Sequence, residues 1–252
     1  MKTAITCLTT VALLILASSC GVISNRVKKD IIYHDSLEID MSENGLELMI
    51  YFEKGEEYNH PTFVFWIEDM DENYIQTLFV TKAFATGIFE HGPLNDTLWG
   101  TAPGVATRPA ALPYWWHKCD RGSIESMVPT PDNPFVDAYT GATPQGNFAL
   151  RIKTDKVDTG KFRLLMEINQ TWDWNEYWTN NKFPGDYAYK SSSQPSLIYS
   201  VTIDPSSTVK EYHLNPIGHG HYSGKDGLLY TDLSTITTAL KIVSDVTVRI
   251  LN

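Results

Sequence analysis

The sequence predicts a mainly β protein, a single antiparallel sandwich of immunoglobulin-like type. Three observations carry this. Short β-branched and aromatic runs recur along the chain, turn residues separate them, and only one stretch has helical periodicity. Leu46–Phe52 and Phe63–Ile67 are of strand length and rich in Ile, Val and aromatics. Glu68-Asp-Met-Asp-Glu-Asn73 then gives a turn before Tyr74–Val80, a hairpin pattern. Asp69, Asp71 and Asn73 alternate as in part of a calcium loop. The Gly and the closing Glu are missing at their offsets, which favours the turn. Asn147–Ile152 and Lys161–Ile168 flank Asp158-Thr-Gly160 and predict a second hairpin. Leu197–Ile203 and Val246–Ile250 supply two more strands. The one predicted helix is short and C-terminal. It starts at Asp232, an N-cap residue, with Leu233, Ile236, Leu240 and Val243 at helical spacing.

Three regions divide the chain. Lys2 followed by the apolar run Ala4–Leu16 has signal-peptide length, short of the roughly 20 apolar residues a spanning helix needs. Ala17-Ser-Ser-Cys20 resembles a bacterial lipobox, which implies a signal over residues 1–19 and an acylated Cys20. Residues 20–30 read as a lipidated tether and 31–252 as the sandwich. The expected place is the cell envelope, lipid-anchored on the periplasmic face of the outer membrane, since residue 21 is Gly and not Asp. Residues 1–19 carry Lys2 and no acid, so their removal takes the net charge from −10 to −11. That charge argues against nucleic acid and against docking on anionic lipid. Of three cysteines, Cys7 leaves with the signal and Cys20 takes lipid. Cys119 remains, either a thiol flanked by basic residues or a packing residue.

Two insertions interrupt the strand pattern. Residues 83–136 carry Trp99, Trp115 and Trp116. Residues 170–195 carry Trp172, Trp174, Tyr177, Trp178, Tyr187 and Tyr189. Long aromatic loops on a rigid scaffold either fold back as satellite core or wall a ligand site. In the second case Trp115, Trp116, Trp172, Trp174 and Trp178 would form the wall. His219 and His221, with His213 nearby, are weak metal candidates in a Gly-rich segment without ligand-spaced acids or cysteines. No nucleophile elbow, phosphate cradle or ordered carboxylate pair is present, so a turnover enzyme is the least supported class.

Asp137-Ala-Tyr-Thr-Gly-Ala-Thr143 resembles the acceptor motif Asp-x-x-(Ser/Thr)-Gly-Ala-(Ser/Thr) that bacterial flavin transferases modify. The resemblance implies FMN held as a phosphoester on Thr143, with Asp137, Thr140, Gly141 and Ala142 as recognition residues. Gly141 can take positive φ and Pro144 favours an extended Thr143, so a sharp, outward turn is expected. The alternative is an Asp-initiated turn leading into the Phe148 strand.

Phe65–Leu78, Leu112-Pro-Tyr-Trp-Trp-His117 and Asp137–Thr143, in this order, resemble the predicted periplasmic family called domain of unknown function 2271. The likeness runs from about Glu47 to Ile250. It implies a periplasmic β-rich domain that accompanies flavin transferases and membrane redox proteins. The expected function is therefore electron transfer through covalent FMN. The alternatives are a cofactor-free module that binds a glycan or small ligand, or a docking component of an envelope complex.

Overall fold

The computed structural model describes residues 33, 35–39, 45–95, 98–119, 128–135, 139–155 and 160–251. The signal, Cys20, the tether and Asp137 lie outside the described residues. In chain order the strands are β1 Asp35–Ile39, β2 Glu47–Lys54, β3 Thr62–Glu68, β4 Tyr74–Thr81, β5 Ile88–Phe89, β6 Pro93–Asn95, β7 Leu98–Trp99 and β8 Gly104–Val105. They continue as β9 Tyr139–Gly141, β10 Phe148–Lys153, β11 Phe162–Asn169, β12 Leu197–Ile203, β13 Glu211–His213, β14 Asn215–His219 and β15 Val243–Ile250. One sheet runs β1-β10-β2-β15-β13 and the other β14-β12-β11-β3-β4-β9.

All seven strands read from the sequence are present, with ends shifted by at most three residues. Their pairing gives the sandwich. β2 pairs antiparallel with β10 in one sheet and β3 with β11 in the other. β4 and β12 flank β3 and β11. This is the central connectivity of an immunoglobulin-like sandwich. Two strands depart from antiparallel pairing, because β1 joins β10 and β9 joins β4 in parallel.

The inner faces follow the period of two. Leu48, Ile50 and Phe52 of β2 meet Phe63, Phe65 and Ile67 of β3, with Leu164, Met166 and Ile168 of β11. Phe63 stacks on Phe52, Phe148 and Phe79 at centroid distances of 5.9, 5.4 and 5.5 Å, so four rings from both sheets form one cluster. β3 and β11 are buried on both faces, which alternation alone does not require.

The β3–β4 hairpin is as expected, closed by Asp69, whose Oδ1 accepts from the Asp71 and Asn73 amides at 2.9 Å. The second expected hairpin is not. β10 and β11 lie in different sheets, and the segment between them is a crossover. The Leu46 amide donates to the Thr154 hydroxyl at 3.1 Å, while the Asp155 amide donates to Gln76 Oε1 at 3.0 Å. Successive residues thus bind opposite sheets.

The C-terminal helix is a single 3-10 turn, Thr238–Lys241, shorter than a start at Asp232 implies. β-branched residues 235–238 weaken the helix. Side chains also take its backbone groups: Gln194 Oε1 accepts from the Thr237 amide at 2.8 Å, and Asn175 Nδ2 donates to the Thr235 carbonyl at 2.9 Å. Three short helices stand where no helix is predicted, α1 Lys82–Thr86, α2 Pro113–Lys118 and α3 Tyr187–Ser192.

Phe63→Ala opens a cavity at the centre of the four-ring cluster and is expected to destabilise the domain by about 3–5 kcal/mol. Denaturant unfolding monitored by circular dichroism measures this; a loss below about 1 kcal/mol would contradict the packing.

Candidate functional site

The loops that carry the candidate residues gather at one end of the sandwich. Strand register places them there: Thr62, which opens β3, pairs with Asn169 at the close of β11. Val80 near the close of β4 pairs with Val64, and Thr81 pairs with Gly141. The segments after Thr81, Gly141 and Asn169 and the one before Thr62 therefore leave the sheet together.

The acceptor-like segment lies at the outer edge of the six-stranded sheet. Thr140 and Gly141 belong to β9 and pair with Val80 and Thr81. Ala142 is exposed, while Thr140 and Thr143 are half-buried. The Thr143 hydroxyl donates to the Pro61 carbonyl at 3.3 Å, a long bond. Tyr58 donates to the Pro144 carbonyl at 2.5 Å and fixes the exit of the loop. Among the described glycines only Gly87 and Gly224 have positive φ. Gly141 is extended, so the expected sharp turn is replaced by an edge strand running out into a loop. The ladder to β4 takes the backbone groups that a turn would have satisfied internally.

The aromatic residues divide into two populations. Trp115 and Trp116 are fully buried against the outer face of the six-stranded sheet, with Val64, Trp66, Val80, Leu165 and Ile198. Their indole N–H groups are satisfied inside the protein, by Thr77 Oγ1 at 2.8 Å and the Pro109 carbonyl at 2.9 Å. These two are core, not ligand wall. Apolar surface on the outer face of β3 and β11 demands a cover, and the first insertion provides it. Cys119 is buried in the same cluster and is a packing residue. Trp178 is likewise buried, donating to Thr235 Oγ1 at 3.1 Å. Trp172 and Trp174 are exposed.

The charged residues beneath the insertions were not singled out in the sequence. Glu167 is wholly buried in β11. Its Oε1 accepts from the Tyr114 amide at 3.1 Å and from Ser196 Oγ at 2.6 Å, and its Oε2 from the Trp115 amide at 2.7 Å. Burial pushes its pKa up to about 8 against the opposing pull of these donors. Two residues on, Asn169 Oδ1 accepts from Arg108 Nη2 at 3.0 Å and Ser192 Oγ at 2.8 Å. Glu68 is buried beside Lys118 at 3.0 Å and Arg163 at 3.5 Å. The available signal was Leu165, apolar on the same face as Glu167, which makes Leu164-Leu-Met-Glu-Ile168 a near-continuous apolar run and points to cover on both faces.

The histidines have separate duties. His219 is buried, pairs through Nδ1 with the Gly220 carbonyl at 2.8 Å and stacks on Tyr230 at 5.4 Å. His221 Nδ1 accepts from the Ser223 amide at 3.1 Å, and burial lowers its pKa. His117 contacts the Gly224 carbonyl at 3.2 Å. Among the described residues no three His, Cys, Asp or Glu side chains come together as a metal site. No protein-family model, curated protein or solved structure matches the chain.

Because Glu167 binds its proton more tightly folded than unfolded, it favours folding fully below the ordinary carboxylate range. That contribution is lost as pH rises toward about 8. Thermal unfolding between pH 5 and 8 is expected to show wild type losing stability relative to Glu167→Gln, by up to about 1.4 kcal/mol per pH unit. His221 acts in the opposite sense in both proteins and cancels in the difference. Parallel pH profiles would show that Glu167 does not titrate in this window.

Proposed function

We propose that this chain is an envelope lipoprotein, anchored through Cys20, that carries FMN on Thr143 and passes electrons to a membrane redox protein. The reading rests on the resemblance of Asp137–Thr143 to a flavin-acceptor segment and on one structural observation. Thr140–Thr143 runs along the terminal strand of the six-stranded sheet and leaves it at an exposed residue, Ala142. A transferase must enclose the hydroxyl it modifies, and an edge strand running into a loop is a segment it can reach. The long 3.3 Å bond from Thr143 to Pro61 is weak enough to be given up.

The attachment is a group transfer. Thr143 Oγ1 attacks the flavin-side phosphorus of a flavin adenine dinucleotide donor, the pyrophosphate P–O bond breaks, AMP leaves, and the hydroxyl proton goes to a base on the transferase. FMN held on Thr143 would supply one- and two-electron redox chemistry. Trp172 and Trp174 follow the strand end that lies beside the Thr143 segment and would offer exposed aromatic surface there. Trp115, Trp116 and Trp178 are core and have no part in it.

The test is the intact mass of the exported protein, produced with and without a flavin transferase active on a control substrate. A gain of one FMN less one water, absent in Thr143→Ala, is expected. An unchanged mass in folded protein would overturn the assignment.

A further inference from the structure

We infer that the excursion from Ile88 to Val105 is a docking arm that seats this end of the domain on the zwitterionic surface of the bilayer holding the Cys20 anchor. The inference rests on the anchor of the proposed function and not on the flavin.

The chain leaves the core at Gly87 and re-enters it at Ala106. Both residues are buried, and the Ala106 amide donates to the Gly87 carbonyl at 3.0 Å. On either side the apolar residues are buried: Phe84 and Ala85 before the excursion, Ala110, Ala111 and Leu112 after it. Within it the pattern inverts. All four of its Ile, Leu and Val side chains, Ile88, Leu94, Leu98 and Val105, stand exposed, by 46, 67, 54 and 58%. Apolar surface concentrated in one segment in this way marks an interaction site.

Register fixes which way the root of the arm faces. Ile88 pairs directly with Val105, so these two side chains share a face. Phe89, the next residue, takes the other face, and its ring centroid lies 5.5 Å from the guanidinium carbon of buried Arg108. The Ile88 and Val105 side chains therefore point away from the domain. Beyond them the backbone closes on itself. The Gly92 amide donates to the Ala102 carbonyl at 2.9 Å, and the Gly100 amide to the Gly92 carbonyl at 2.8 Å. A Cβ on Gly92 would stand 2.4 Å from the Gly104 Cα, so only glycine permits this approach. Leu94 and Leu98 flank the turn of the second ribbon, formed by β6 and β7. The arm is a preformed unit, and docking has little ordering entropy left to lose.

Position, size and charge name the occupant. The N-terminal segment enters the fold at the end from which the arm leaves. Asp35 opens β1 opposite Phe148, Phe148 stacks on Phe63, and Phe63 stacks on Phe79, just before Thr81, where the chain turns into α1 and the arm. The chain from Cys20 to Asp35 reaches at most about 50 Å, so an acylated Cys20 keeps this end beside the bilayer. Such tethering gives a high effective concentration, and four aliphatic side chains then suffice. They fall short of the roughly 800 Å² per partner of a stable protein interface. A fluid lipid surface also wets a ribbon from every side, so Leu94 and Leu98 need not share the face of Ile88 and Val105. No Lys or Arg stands between Lys82 and Arg108, and Glu90 is exposed within the arm. With a net charge of −10, this opposes anionic lipid and suits a zwitterionic headgroup such as phosphatidylethanolamine.

The test uses the mature full chain in vesicles of phosphatidylcholine and phosphatidylethanolamine that carry nitroxide-labelled acyl chains. A thiol-reactive fluorophore is placed through Leu94→Cys, Val105→Cys or, as control, Val209→Cys. Val209 is an apolar residue 53% exposed at the opposite end, where the Lys210 carbonyl accepts from Ile250 and Ile250 pairs with Leu48. Cys119 is buried and stays unlabelled. Quenching roughly threefold stronger at the two arm positions than at the control is expected. Equal quenching at all three positions would overturn the docking. So would quenching of the Leu94→Cys label that persists unchanged when Leu98→Asp and Val105→Asp are added. All these side chains are exposed, so the circular dichroism of the variants should match wild type. Intact mass reads the anchor separately: acylated Cys20 with equal quenching leaves the anchor and removes the arm, whereas unacylated Cys20 removes both.

Discussion

Two polar side chains on the outer face of β11, Glu167 and Asn169, hold both insertions to the sandwich. They are two residues apart and so share a face. Glu167 reaches the first insertion through the Tyr114 and Trp115 amides and the exit of the second through Ser196, the residue that follows it. Asn169 reaches the first through Arg108 and the second through Ser192 and the Gln194 carbonyl. Helix α2 is six residues long and has no side-chain cap from its own sequence, too short to persist alone. The Glu167 carboxylate takes two of its first amides, and in return those donors offset part of the penalty of burying a carboxylate. Each element makes the other tolerable.

This arrangement explains why β3 and β11 are buried on both faces. Trp115, Trp116, Leu112 and Tyr114 arrive on a helix whose position is fixed by Glu167, and they cover Val64, Trp66 and Leu165. Arg108 adds a second tie. Its guanidinium is buried and donates to Asn169, Ser191 and Ser192, and burial lowers its pKa to about 10, still well above neutral pH. Among the described residues no carboxylate pairs with it; hydrogen bonds to the charged group serve instead, with Phe89 beneath it at 5.5 Å.

The legible part of the fold is the part governed by local pattern. Seven strands could be read because β-branched alternation and turn residues are local signals, and the Asp69 turn because its bonds span four residues. The β10–β11 pair was misread because sheet membership depends on partners far away. Phe148 faces Phe52 and Ile168 faces Phe63 across 96 and 105 positions, from the register of β10 on β2 and of β11 on β3. The C-terminal helix was overextended because Gln194 and Asn175, distant in sequence, compete for its backbone. In the candidate site, the exposure of Trp172 and Trp174 and the burial of Trp115 and Trp116 have the same composition signal. Only the location of Glu167 separates them. A carboxylate within an apolar strand implies donors from a covering segment, and the covering segment then claims its tryptophans for the core.

The same logic separates two segments at this end of the sandwich. Thr143 is held by a long bond to Pro61 beside an exposed Ala142, so its segment can yield. The second segment is fixed. The Trp174 loop is anchored through Asp173, Asn175 and Gln194 to the Thr235–Thr238 segment. The anchors differ as well: the Thr143 segment leans on residues 58–61 before β3, the Trp174 loop on the turn before β15. Mobility in one therefore does not have to loosen the other. A rigid double-faced sheet, closed on its outer side by the Glu167-held helix, lets one end of the molecule present a yielding loop and a fixed one together.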